Sequence, residues 1–145
     1  MPNEAEFRRW MVSNAPKSAL IQTIETSTGT GIPDLFLCNQ GCPCWIELKD
    51  AEGMQCYMRT SQWLWMRRLV KAGGVGFLII RRKSKKIIDV YDAYQLFRQD
   101  PEKDVKFNRS DVLFNKKIRP IFSHEIGQSP KDFFDRLLQY QGGEI

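Results

Sequence analysis

Apolar and polar positions alternate along this chain with two periods, and each period predicts a different kind of element. From Glu4 to Asn14, the residues Phe7, Trp10, Met11 and Asn14 recur at i, i+3, i+4 and i+7, so the first three form the apolar face of a helix. Asn3 suits its N-cap and Pro16 marks its end. Ala19 to Thr26, with Leu20, Ile21 and Ile24, reads as a first strand, followed by a polar loop from Ser27 to Gly31. Two apolar runs then flank the turn-forming stretch Cys38 to Cys44: Gly31-Ile32-Pro33-Asp34-Leu35-Phe36-Leu37 and Trp45-Ile46-Glu47-Leu48-Lys49. This pattern predicts a β-hairpin. Centring its turn on Gln40-Gly41 sets Asn39 opposite Cys42, Phe36 opposite Trp45, and Asp34 opposite Glu47.

Beyond the hairpin, Asp50 to Arg59 reads as a connection. Thr60 or Ser61 is expected to cap a helix from Gln62 to Ala72, with Trp65, Met66 and Leu69 as its buried stripe and Gly73-Gly74 as its stop. Gln62 lies one turn before Met66, near the inward face. Val75 to Arg82 is a strongly apolar, central strand. A basic turn, Arg81 to Lys86, leads into a strand from Ile87 to Tyr91 and a short helix from Asp92 to Arg98. Asp100 to Gly127 shows only short mixed runs. Ser129-Pro130 opens a last helix whose apolar face is Phe133, Phe134, Leu137 and Leu138. No repeat or linker divides the 145 residues, which are expected to form a single α/β domain with a mixed β-sheet flanked by helices.

The hairpin register has a chemical consequence. Residues directly opposite on an antiparallel ladder have Cβ atoms roughly 4.5–5.5 Å apart. Carboxylates that close repel unless a cation lies between them or they share a proton. Lys49, two residues beyond Glu47, projects from the same face. Two acids and an amine together suit metal-assisted attack on a phosphate. Each residue has a plainer role open to it. Asp34 could cap a turn after Pro33, Glu47 and Lys49 could form an exposed pair, and Gln62 could face solvent.

Composition adds less. The net charge of +5 allows a polyanionic partner but is common in proteins that bind none. Cys38, Cys42, Cys44 and Cys56 cluster in sequence, yet the register puts Cys38 on one face and Cys42 and Cys44 on the other, against a zinc site. His124 is the only histidine, so no Ser-His-Asp or Cys-His arrangement is convincing. No apolar stretch approaches the roughly 20 residues that cross a bilayer. The polar, acidic first residues do not look like a signal peptide, and the expected location is the cytoplasm.

Pro33-Asp34 followed by Glu47-Leu48-Lys49 resembles the motif of the PD-(D/E)XK nuclease superfamily. Gly31-Ile32-Pro33-Asp34-Leu35, Trp45-Ile46-Glu47-Leu48-Lys49 and Gln62 in a helix ending at Ala72-Gly73-Gly74 most resemble its virus-type replication-repair (VRR-NUC) branch. The resemblance covers about residues 4–91, with 92–145 as a C-terminal extension. It implies a restriction-endonuclease-like core and a metal-dependent deoxyribonuclease, structure-selective for branched, flap or Holliday-junction DNA. The alternatives are a non-specific DNA-trimming nuclease and an inert nucleic-acid-binding module. Asp34 and Glu47 would hold Mg²⁺ or Mn²⁺ with the Leu48 carbonyl, which fits the oxygen preference of hard cations. Lys49 would position water or stabilise the transition state, and Gln62 would hydrogen-bond the water or a phosphate oxygen. An acid of the first helix would complete the metal site, Glu6 before Glu4. Glu6 has a capping-box role as its rival, and Glu25 ranks below it. Arg81, Arg82, Lys83, Lys85 and Lys86, or else Lys116, Lys117 and Arg119, could contact DNA phosphates. Arg67 and Arg68 could do so from the second helix. Trp63 and Trp65 cannot both point inward, and the outward one would support a homodimer able to span a branched substrate.

Overall fold

The computed structural model describes residues 3–25, 31–51, 57–98, 105–108, 111–114 and 119–141. Helix α1 (Glu4–Asn14) starts where expected, with the Asn3 side chain accepting the Glu6 N–H at 3.0 Å. Phe7 and Met11 are buried, and Trp10 packs edge-on against Phe133 at 5.5 Å between centroids. Strand β1 (Leu20–Thr23) is shorter than predicted and lies at a sheet edge.

Strands β2 (Leu35–Asn39) and β3 (Cys42–Ala51) form the hairpin, in the predicted register, with Phe36 opposite Trp45 and Asn39 opposite Cys42. Gln40 and Gly41 both have left-handed backbone (φ 52° and 78°), the turn whose twist matches that of the strands it joins. After β4 (Tyr57–Arg59), helix α2 (Thr60–Lys71) carries the chain across to β5 (Gly76–Arg82), which pairs parallel with β3. This is a crossover of the kind that parallel pairing requires. Strand β6 (Ile87–Asp92) and helix α3 (Ala93–Arg98) follow. Two short strands, β7 (Val105–Asn108) and β8 (Asp111–Phe114), join β4 in a small second sheet. Strand β9 (Phe122–Glu125) then returns to the main sheet beside β6, and α4 (Pro130–Gln141) closes the chain. The main sheet has six strands in the order β1-β2-β3-β5-β6-β9.

Each face of the sheet has its own core. Leu35, Leu37, Ile46 and Leu48 meet Phe7 and Met11 of α1 and Phe133, Phe134 and Leu137 of α4. Leu78 and Ile80 on the other face meet Trp63 and Met66 of α2 and Leu96 of α3. Strand β5 is covered on both faces, which explains its unbroken apolar run. The stretch with the poorest pattern thus leads into structural parts of the main unit, because β9 and α4 complete one sheet edge and one core. The buried stripe of α2 differs from expectation. Trp63 is buried and Trp65 half-buried, because α3 and β4 cover the flank of α2 that Trp63 occupies. Among the described residues no helix is long and apolar enough to cross a membrane.

Candidate active site

Gly31 is where the site begins. Its φ is +80°, and an added Cβ would lie 2.1 Å from the Ser61 carbonyl oxygen. Only glycine lets this backbone adopt that angle and pass so close to the first turn of α2. The contact sets the segment leading to Asp34 beside Gln62. Asp34 itself lies one residue before β2, and the ladder from Leu35–Ile46 carries it to the level of Glu47. Its carboxylate does not simply face across. Oδ2 accepts the Leu48 N–H at 2.8 Å. The N–H and carbonyl of a strand residue point to the same edge, so the Leu48 carbonyl is aimed to the side of Asp34.

Glu47 and Lys49 alternate with Ile46 and Leu48 along β3 and therefore turn toward α2. Glu47 is 1 % exposed. Its Oε2 accepts from Gln62 Nε2 at 3.0 Å and lies 3.6 Å from Lys49 Nζ. Oε1 is buried with no hydrogen-bond partner among the described residues. Lys49 Nζ donates to Gln62 Oε1 at 3.0 Å, and the same oxygen accepts the Arg59 N–H at 3.0 Å. The Gln62 amide is thus a clamp that orients both Glu47 and Lys49. Burial pushes the Glu47 pKa well above the usual glutamate value, the Asp34 charge adds to this, and Lys49 opposes it. A hydrogen bond with Asp34 also favours the protonated form.

Of the two acids of α1, Glu4 approaches the hairpin residues and Glu6, the acid preferred from the sequence, turns to Arg81. Glu4 Oε1 is 4.0 Å from Lys49 Nζ. Burial raises its pKa, Lys49 lowers it, and Asp34 raises it. Glu6, two residues on, is rotated by roughly 200° about the helix axis and pairs instead with Arg81 at 3.1 Å. Arg81 also donates from Nε to Asp50 Oδ1 at 2.9 Å, and from one terminal nitrogen to the Asn3 carbonyl at 3.3 Å. Asp50 accepts the Asn3 N–H as well. Burial pushes the Asp50 pKa up, but the Arg81 and Asn3 hydrogen bonds outweigh it and hold the pKa below the usual aspartate value. Asp50 was missed in the sequence. Its signal was parity: it follows Cys44, Ile46 and Leu48 on the apolar face of β3, where a carboxylate requires a buried cation.

Arg81 and Arg82, expected in an exposed basic turn, are placed in β5. Both are buried, 8 % and 3 % exposed, because each is held by an aspartate; Arg82 Nε donates to Asp89 at 2.8 Å. Both guanidinium groups are turned inward onto carboxylates. Lys83 Nζ lies 3.5 Å from Asp50, while Lys85 and Lys86 are exposed in the turn. Glu25 is exposed beyond the end of β1. Arg119 is exposed, and Lys116, Lys117 and Cys56 lie outside the described residues. Cys44 is buried in the α1 core, and Cys38 and Cys42 are half-buried. His124 is buried against Phe133, remote in the sheet order from the hairpin.

Among the described residues no three His, Cys, Asp or Glu side chains converge as a metal cage. The donor set at the hairpin is smaller, with two adjacent carboxylates, one bearing an unpartnered buried oxygen, and a backbone carbonyl on the same side. Oxygen donors of this kind fit a hard divalent cation that keeps several of its waters.

No protein-family profile matches the chain, and no curated protein matches it in sequence. Solved structures do resemble it. Hjc, a Holliday junction resolvase from the archaeal hyperthermophile Archaeoglobus fulgidus, superposes with a TM-score of 0.55 at 12 % identity, over 88 % of this chain and 95 % of that one. D212, a nuclease from a fusselovirus, matches with a TM-score of 0.47 at 10 % identity, over 94 % of this chain and 88 % of that one. The likeness to the resolvase shows that the mixed sheet and its helices have a restriction-endonuclease-like fold.

Proposed function

We propose that this chain is a metal-dependent deoxyribonuclease of the PD-(D/E)XK type, closest in its motifs to the VRR-NUC branch. It hydrolyses DNA phosphodiester bonds as an endonuclease selective for branched, flap or four-way structures. The observation that carries the reading is Glu47, buried between Asp34, Lys49 and Gln62 with one oxygen unpartnered among the described residues. A buried acid that strained by its neighbours is characteristic of functional sites. The resolvase of similar fold supports the choice of a branched substrate.

Asp34, Glu47 and the Leu48 carbonyl would hold Mg²⁺ or Mn²⁺, with Glu4 near enough to add charge. When bound, such an ion lowers the pKa of a coordinated water and neutralises charge on the phosphate. The protein's own groups do the remaining work. Lys49, fixed by Gln62 Oε1, presents its ammonium to the phosphate oxygens, where negative charge grows as the water oxygen bonds to phosphorus. The ester P–O bond then breaks, the attacking water gives up a proton to bulk solvent, and the departing oxygen takes one up from solvent. Gln62 positions Glu47 and Lys49, since both ends of its amide are engaged by protein groups.

Cleavage of a synthetic four-way junction, a flap and a linear duplex in Mg²⁺, Mn²⁺ or EDTA tests this. The junction and flap are expected to be cut with either metal and spared in EDTA. Glu47→Gln is expected to slow cleavage by about 10²–10³-fold, the scale for losing one key electrostatic group. A readout besides activity is the melting temperature, which either metal raises in the wild type and not in Glu47→Gln. Equal cutting of all three substrates would assign a trimming enzyme. Binding without cleavage in both metals would leave an inert module.

A further inference from the structure

The face that carries Glu47 and Lys49 continues past them into aromatic residues. Alternation along β3 puts Trp45 on the same side, and Phe36 of β2 is directly opposite it. The Trp45 ring is centred 5.0 Å from Phe36 and 5.3 Å from Trp65, both edge to face. All three rings are half-buried. Trp65 stands one turn beyond Gln62 on α2 and lines an open groove of about 530 Å³ with Arg68, Leu69 and Lys71. Helix α2 carries Arg67, Arg68 and Lys71 and no acidic residue, so the groove suits a polyanion. Rings and cations side by side along a groove are what single-stranded nucleic acid binds, by base stacking and phosphate neutralisation. From Glu47 to Trp45 is two residues, about 6.6 Å of strand. Stacked nucleotides advance about 3.4 Å each along one strand, so the rings sit about two nucleotides from the acids.

We propose that Trp45 and Trp65, with Arg68, form a subsite for an unpaired base about two nucleotides from the phosphate that lies against Lys49. The inference rests on the nuclease reading and narrows its substrate to DNA with single-stranded nucleotides flanking the cut. A base inside continuous duplex has both faces covered by its neighbours and offers no face to the rings. Stacking accepts every base, so the subsite reads strandedness and not sequence.

The test is binding of a short oligothymidylate and of a duplex of equal length, followed by fluorescence anisotropy in EDTA, where nothing is cut. Trp65→Ala is expected to weaken binding of the single strand roughly tenfold, within the range for losing one stacked base, and to leave duplex binding unchanged. Trp65→Phe is expected to restore most of it. Arg68 is exposed, so Arg68→Ala folds whatever Trp65→Ala does, and it is expected to lower the salt dependence of strand binding by about one ion. Wild-type binding by both alanine variants would overturn the subsite. So would sedimentation showing that Trp65→Ala turns a dimer into a monomer, which would assign the face to a second copy. A wild type that cuts DNA but binds strand and duplex alike overturns the subsite alone. Glu47→Gln cutting at the wild-type rate overturns the nuclease reading and leaves the binding result standing.

Discussion

His124 shows what burial does to a single titratable group in this fold. The ring is 1 % exposed, its Nδ1 has no hydrogen-bond partner among the described residues, and Nε2 lies 3.3 Å from the Gln128 carbonyl. Burial lowers its pKa and Arg136 adds to this, while the Gln128 hydrogen bond, Asp132 and Glu125 oppose it. The folded state therefore binds fewer protons than the unfolded chain. Stability from this group is complete above about pH 6.5, the unfolded value. It falls as the pH drops from there through the lower folded value. Urea titrations across that window are expected to show this slope in the wild type and to lose it in His124→Phe. The acids behave differently in what the sequence could reveal. Asp34, Glu47 and Lys49 were readable because a local register and a period of two bring them together. That Glu4 and not Glu6 approaches Lys49 depends on the rotation of α1 about its axis, which no local pattern specifies.

Elements are joined at two points that a single substitution can open. Gly31 meets the first turn of α2, and Gly31→Ala adds a methyl group to a left-handed residue facing backbone. A loss of at least ~2 kcal/mol is expected in chemical denaturation, from strain and displacement together. Cleavage is expected to fall further than stability, since Asp34 and Gln62 separate. The second point is Asp50, whose fully buried side chain holds Arg81 and the Asn3 N–H. Asp50→Ala leaves the buried Arg81 guanidinium with only the exposed Glu6 carboxylate as counter-ion among the described residues and is expected to cost about 3 kcal/mol. Hydrogen exchange is expected to speed up in the first turn of α1, the turn that carries Glu4. The basic run Arg81 to Lys86 was legible as charge but not as two structural pairs followed by an exposed turn. The partners, Asp50 and Asp89, come from neighbouring strands.

At the scale of the molecule, β9 and α4, both beyond the motif region, are part of the main unit. Phe133, Phe134 and Leu137 of α4 are buried in the core that α1 shares. Full burial of each contributes about 1.5–3 kcal/mol, and together they rival the roughly 5–15 kcal/mol by which domains are stable. A chain ending before Pro130 is expected to lose its cooperative urea transition and its near-ultraviolet circular dichroism. Retention of both would show that residues up to Ser129 fold alone. The helix itself was readable from its Ser-Pro start and apolar spacing. Its docking beside α1 was not, because an apolar stripe states that a helix is covered and not by what.

Short-range order in the chain determined the hairpin and its turn, the shared face of Glu47 and Lys49, the glutamine helix and the unbroken apolar run that makes β5 central. These depend on periods of two and 3.6 residues and on backbone angles that neighbouring residues impose. Tertiary structure decided which acid of α1 reaches Lys49, why Arg81 and Arg82 turn inward, which tryptophan of α2 is buried, and that β9 and α4 complete the sheet and core. Each of those outcomes depends on contacts between segments far apart in the chain, where the strongest available partner wins and local periodicity carries no information.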